Sequence, residues 1–204
     1  MKRFFGQPST IWASLRNRLH VYALPDPELR AALVDYQRAL TPFSYCSVQP
    51  PKFLHATVQQ FAVTSEEVTQ QQLAAFASEL ERLASSMKPF EIALSTPVAD
   101  DWSLGVRGKP SLEWENLVSG VRSAAQQTIN LDREMPRAPF GPHLTLGYGV
   151  AQGSSEQVQA ASDALKLSEL PPLKVQEIHF LAVHQDVEHG IFHWDSSQVF
   201  RSPR

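Results

Sequence analysis

The chain has 204 residues, of which 43% are hydrophobic and 19% charged, and a formal net charge of −3. That length fits one domain or two small lobes sharing a core, and a mildly acidic chain without a long basic stripe excludes a surface that coats nucleic acid broadly. A single cysteine, Cys46, rules out an intrachain disulfide and predicts a reducing compartment, the cytoplasm.

Residues 1–18 carry Lys2, Arg3, Arg16 and Arg18 without a continuous apolar stretch. They read as a loose arm rather than a signal peptide, ahead of a single domain over 19–204. No apolar run approaches membrane-spanning length. Residues 19–24 predict a first strand, with His20, Tyr22 and Leu24 on one face. Pro25-Asp26-Pro27 stops it and opens a helix to about residue 40, with Leu29, Leu33, Tyr36 and Leu40 at helical spacing. Tyr45–Val48 reads as a short strand and 53–63 as a longer one. Thr64 and Glu67 have capping-box spacing for a helix ending near Ser86. Strands at 90–94 and 103–107 read as a pair joined around 97–102. A helix from Lys109-Pro110-Ser111 to about Leu131 follows, then a Pro- and Arg-rich loop over 132–142. A strand over 143–150, a helix from Ser154 to about Leu167 and a closing hairpin over 173–187 and 191–201 complete the chain. Interleaved helices and antiparallel strand pairs predict an α+β fold. The two halves resemble each other in element order, each with a long strand followed by a capped helix.

Within those two strands stand His55-Ala56-Thr57-Val58 and His143-Leu144-Thr145-Leu146. Side chains alternate along a strand, so each His shares a face with the Thr two positions on. The motifs are 88 positions apart, and the chain has seven His in all. One strand histidine alone is usually structural; two His-x-Thr strings in matching contexts point to chemistry. An acid and base pair can be made from two imidazoles near neutral pH. Two hydroxyls beside them can donate to an anion. A phosphodiester or 2′,3′-cyclic phosphate held between them meets both needs of hydrolysis: a proton taken from water, and a proton given to the leaving alkoxide. The Thr hydroxyls would hold the non-bridging oxygens. This scheme calls for no metal and no cofactor.

These motifs, with Pro142 and the strand ending Ala23-Leu24-Pro25, resemble the two-histidine (2H) phosphoesterase superfamily, in particular its 2′-5′ RNA ligase-like and cyclic phosphodiesterase branch. The resemblance implies a bilobal fold: two pseudo-twofold-related antiparallel-rich sheets, outer helices and a central cleft. It implies action on 2′,3′-cyclic phosphates of RNA ends or small nucleotides, and in some members reversible 2′-5′ ligation. It implies His55 and His143 as acid and base, carried over as His143 base and His55 acid, with Thr57 and Thr145 on the phosphate. The residues themselves leave that division open. The sequence departs from relatives at Gly147-Tyr148-Gly149, where basic or small polar residues often stand.

Other positions are secondary. Arg137, in the loop entering the second motif, is the foremost candidate cation; Arg107, Lys109 and Arg133 are others. Phe61 shares the parity of His55 and is a candidate for stacking a base, although core packing is its ordinary role. Tyr148 has the parity of Leu144 and Leu146 and is expected to face away. Trp102, Trp114 and Trp194 are core or rim residues by default. Cys46 reads as a small half-buried residue. His179, His184, His189 and His193 form the densest His cluster, but His179 and His184 have opposite parity, and no metal motif accompanies them. The contrasting function class is a non-catalytic module that binds a nucleotide or RNA end in the same cleft. The expected partner is thus a nucleotide or RNA terminus; neither a membrane nor an obligate protein partner is predicted.

Overall fold

The structure is a computed structural model, and it describes residues 1–7, 10–109, 111–129 and 134–203. In chain order the elements are β1 (Arg18–Ala23), α1 (Pro27–Gln37), β2 (Ala56–Thr64), α2 (Gln70–Ser86), β3 (Phe90–Ile92), β4 (Val98–Ala99), β5 (Ser103–Arg107), α3 (Leu112–Thr128), β6 (His143–Tyr148), α4 (Ser155–Ala164), β7 (Leu173–Val175), β8 (Glu177–Asp186), β9 (Ile191–His193) and β10 (Ser197–Arg201).

Local chemistry explains the helix starts. Asp26 caps α1 by accepting from the Leu29 N–H, with Pro27 in the first turn, where a missing N–H costs nothing. Ser111 and Ser154 cap α3 and α4 in the same way. The capping box of α2 is Thr69 with Gln72. The Thr64–Glu67 pair closes only a turn, the Thr64 N–H donating to Glu67. The expected end of α3 near Leu131 lies outside the described residues.

The fold is α+β and antiparallel. Strand order in the main sheet is β10-β8-β1-β2-β6-β5-β4, with β9 paired to β8. A pseudo-twofold runs through its centre. It exchanges β1 with β5, β2 with β6 and β8 with β4, and it relates β3 to β7, which pair in a small second sheet. Each half is a βαβαββ unit, and the last strand of each adds to the edge of the other half. The two expected sheets are therefore the halves of one sheet. They join at a single antiparallel pair, Ala56 with Leu144. The expected pairing of 90–94 with 103–107 is corrected: β3 pairs with β7, and β5 takes β4.

Helices cover one face. Phe76 and Leu80 of α2, Trp114 and Val121 of α3, and Leu29 and Leu33 of α1 pack there on Ala56, Val58, Leu144 and Leu146, all at most 1% exposed. The other face carries the cleft and a smaller aromatic cluster around Phe5, Tyr22, Tyr148 and Phe192. The N-terminal segment belongs to that cluster, which corrects the expectation of a loose arm. Phe5 is fully buried, the Phe4 N–H donates to the Gly149 carbonyl at 2.8 Å, and Trp12 lies 5.2 Å from the His20 ring. Burying an aromatic side chain contributes about 1.5–3 kcal/mol. Phe5 anchors the segment, with the partly buried Phe4 and Trp12 packed beside it.

Candidate active site

The Ala56–Leu144 pair sets the geometry of the motifs. In an antiparallel register continued from it, Thr57 stands opposite His143 and His55 opposite Thr145. Ala56 and Leu144 point into the core, so all four polar side chains take the other face. They line one cleft of about 760 Å³. The sequence motifs, 88 positions apart, therefore meet across the pseudo-twofold.

Both rings are held alike. His55 Nδ1 lies 2.8 Å from the Phe53 carbonyl, and His143 Nδ1 lies 3.1 Å from the Gly141 carbonyl. A carbonyl only accepts, so Nδ1 carries the proton and Nε2 is left as the free nitrogen. Their surroundings differ. Tyr22 stacks on His55 at 4.1 Å and 13°, and Trp194 meets the ring edge-on at 5.7 Å. This enclosure, reinforced by His143 nearby and opposed by the Phe53 carbonyl, pushes the His55 pKa down to about 4. His143 is exposed at the first position of β6.

Both motif strands carry a β-bulge at the same place. Opposite β1, Tyr22 pairs with Thr57 but Val21 with Gln59; opposite β5, Gly105 pairs with Thr145 but Leu104 with Gly147. One extra residue, Val58 or Leu146, reverses the alternation beyond it. Thr57 and Gln60 thus share the cleft face, as do Thr145 and Tyr148. This corrects two sequence expectations. Phe61 is turned into the core, fully buried and edge-on to Phe76 at 5.5 Å, so it is no stacking platform. Tyr148 faces the cleft rather than away. Its hydroxyl is in hydrogen-bonding contact with Thr145, and that of Tyr22 with Thr57. Burial holds both phenols well above their ordinary range, so they stay neutral.

The remaining candidates divide. Arg137 is exposed and lines the cleft, as does Arg107, which pairs with Asp100 at 3.0 Å. Lys109 is exposed outside the lining, and Arg133 lies outside the described residues. Trp102 lines the cleft, Trp194 backs His55, and Trp114 is buried in the helix-side core. Cys46 is half-buried and its thiol is pushed up to about 11 by desolvation, which keeps it protonated and inert.

His179 is buried on Ser197 and Glu177, away from His184. Among the described residues, His184, His193 and Asp195 bring three ligating atoms within 4.8 Å of one another. However, His184 Nδ1 accepts the Asn17 N–H at 3.3 Å, which leaves its proton on Nε2, 3.8 Å from Asp195. That state suits an imidazole–carboxylate pair better than a ligand. No described helix is long and apolar enough to cross a membrane.

The fold, with its paired His-x-Thr strands, defines a class. The family model of the 2′-5′ RNA ligase superfamily matches residues 25–187, and the chain belongs to that family. Among solved structures, TT0787 of Thermus thermophilus is similar at TM-score 0.66 and 21% identity, covering 92% of this chain and 100% of its own. E. coli LigT is similar at TM-score 0.64 and 16% identity, covering 94% and 100%. LigT has also been solved with 3′-AMP, at TM-score 0.61, 16% identity and coverage of 91% and 98%. These likenesses establish the fold. A comparison with curated proteins finds no match.

Proposed function

We propose that the protein is a phosphodiesterase that opens 2′,3′-cyclic phosphates of nucleotides or RNA ends. The observation that carries this reading is the convergence of His55, Thr57, His143 and Thr145 on one cleft face around the Ala56–Leu144 pair. A tetrahedral phosphate between the two strands meets an imidazole from either side and a hydroxyl from either strand. Each Tyr that donates to a Thr oxygen leaves that Thr proton for a phosphate oxygen.

The environments divide the labour. A group with pKa about 4 is neutral by roughly 1000 to 1 at pH 7. Such a group holds no proton to give at pH 7 and can take part only by accepting one, as a weak base. His55 is therefore assigned as the base that deprotonates water, and solvent-facing His143 as the acid that protonates the departing ribose oxygen. This reverses the division carried over from relatives. Water adds to phosphorus, the bond to the departing ribose oxygen breaks, and the product is a phosphomonoester beside a free hydroxyl. With an RNA 5′-hydroxyl in place of water, the same step would expel the 3′ oxygen and form a 2′-5′ bond, and its reverse would cleave that bond.

Two further points support the reading. LigT, of the same fold, has been solved with 3′-AMP, NADP+ and ATP, and nucleotide binding is carried to this chain on that ground. The protonated Cys46 and the absence of a second cysteine fit a reducing compartment such as the cytoplasm.

The test is turnover of nucleoside 2′,3′-cyclic phosphates, followed by product chromatography. The reading requires conversion to a single nucleoside monophosphate, unaffected by EDTA. Binding without conversion across cyclic and linear diesters would make the cleft a recognition module instead.

A further inference from the structure

The cleft contains a third imidazole that the scheme above leaves idle. His20 on β1 is only 3% exposed, yet it lines the cleft beside Tyr22, with ring centroids 5.1 Å apart. Its Nδ1 lies 2.9 Å from the Arg18 carbonyl. The proton therefore sits on Nδ1, as in His55 and His143, and Nε2 presents a lone pair. Among the described residues, Nε2 has no hydrogen-bond partner. Burial pushes the His20 pKa down to about 3, so the ring is an acceptor throughout the neutral range.

Across the ladder, His20 pairs with Gln60. The bulge in β2 turns Gln60 onto the cleft face, and its side-chain amide also has no protein partner among the described residues. Trp12 closes this end of the cleft, 5.2 Å from His20, and the Arg18 guanidinium lies over the Trp12 ring at 5.0 Å. The other half offers nothing similar. The pseudo-twofold places Ser103 where His20 stands and Tyr148 where Gln60 stands.

His20 Nε2 and the half-buried Gln60 amide both open onto the cleft, where a ligand that covers them must complete their hydrogen bonds or lose affinity. The chemistry they demand is a planar edge with an N–H donor for His20 and a donor–acceptor pair for Gln60. An amino-bearing nucleobase has that edge, and a side-chain amide meets adenine's N6 and N7 together. We propose that His20 and Gln60 form a base-reading subsite that selects an amino-bearing nucleobase, adenine foremost. This rests on the reading of the cleft as a nucleotide phosphodiesterase. It adds which nucleotides the cleft prefers, through residues outside the His-x-Thr motifs.

The test is calorimetric binding of adenosine 3′-monophosphate and purine riboside 3′-monophosphate to the full chain. The two ligands differ by one amino group. The wild-type chain is expected to hold the adenosine compound about tenfold or more tightly, the effect of a buried acceptor left unpaired. In His20→Phe, which keeps the ring against Trp12 and Tyr22, the difference closes to within about twofold. Equal wild-type affinities, no binding of either nucleotide, or a preference that survives His20→Phe would each overturn the subsite. The wild-type comparison stands whether or not the variant folds. Failure of the phosphodiesterase reading shows separately, as an adenosine 2′,3′-cyclic phosphate that remains unconverted.

Discussion

The two halves of the cleft share a construction and differ in furnishing. Each has a His locked through Nδ1 to the carbonyl two residues before it, a Thr two residues after, and a bulge immediately beyond. The neighbouring strand decides what each half becomes. Opposite Thr57 stands Tyr22, which stacks on His55; opposite Thr145 stands Gly105, which covers nothing. Gly105 is required where it is, because a Cβ there would lie 2.9 Å from the Leu144 carbonyl oxygen. One backbone device thus produces an enclosed, neutral imidazole on one side and an open one on the other. A symmetric scaffold acquires a direction through single positions on strands that carry no motif.

The contrast can be broken most severely at the imidazoles. His55→Ala and His143→Ala should each lower kcat by about 10²–10⁴-fold, measured on a nucleoside 2′,3′-cyclic phosphate. The double variant should be little worse than either, since the pair acts as a unit. Thr57→Val and Thr145→Val should each cost about 10–100-fold in kcat/KM while the fold persists, because a hydroxyl is exchanged for a methyl of similar size.

Tyr22→Leu sharpens the comparison rather than destroying it. With the stacked ring gone, water reaches His55 and its pKa rises from about 4 toward the ordinary histidine range. The acid limb of the kcat/KM profile, set by protonation of the base, should move up with it. A limb that stays near pH 4 in this variant would show that Tyr22 does not enclose the ring.

Stability should also depend on pH through this half. His20 and His55 have folded-state pKa values of about 3 and 4, below the ordinary 6.5. Between those values and 6.5 the unfolded chain binds the additional protons. Stability is therefore full above about pH 6.5 and falls as pH drops. The slope is at most about 1.4 kcal/mol per pH unit for each group, and smaller for the partly exposed His55. Urea unfolding of His20→Phe should show a shallower acid slope than wild type. The smallest effect belongs to Arg137→Ala, an exposed cation on the rim, with a rise in KM of about two- to fivefold.

The sequence disclosed what depends on local pattern. Asp26 and Ser154 cap the predicted helices, the His-x-Thr strings lie on strands as expected, and the element order foreshadows the twofold; that the two strands are neighbours is visible only in the ladder. The sequence hid what depends on one inserted residue. Plain alternation puts Phe61 and Tyr148 on the wrong faces, because a bulge reverses strand parity and Val58 and Leu146 carry no local mark of one; core packing, the ordinary role for Phe61, is the one it takes. The N-terminal segment was read by its charges, whereas Phe4, Phe5 and Trp12 determine where it lies. The alternation of the first strand places His20 on the same face as Tyr22, as found. The meaning of His20 needed the ladder, which alone shows that Gln60 stands across from it.

The most direct measurement is a crystal structure of the protein soaked with inorganic phosphate or vanadate. One anion should lie with its oxygens in hydrogen-bond reach of His55 Nε2, His143 Nε2 and both Thr hydroxyls, with Tyr22 still stacked on His55. Ions bound separately to the two strands, or a cleft in which the two imidazoles do not address the same phosphorus, would contradict the account.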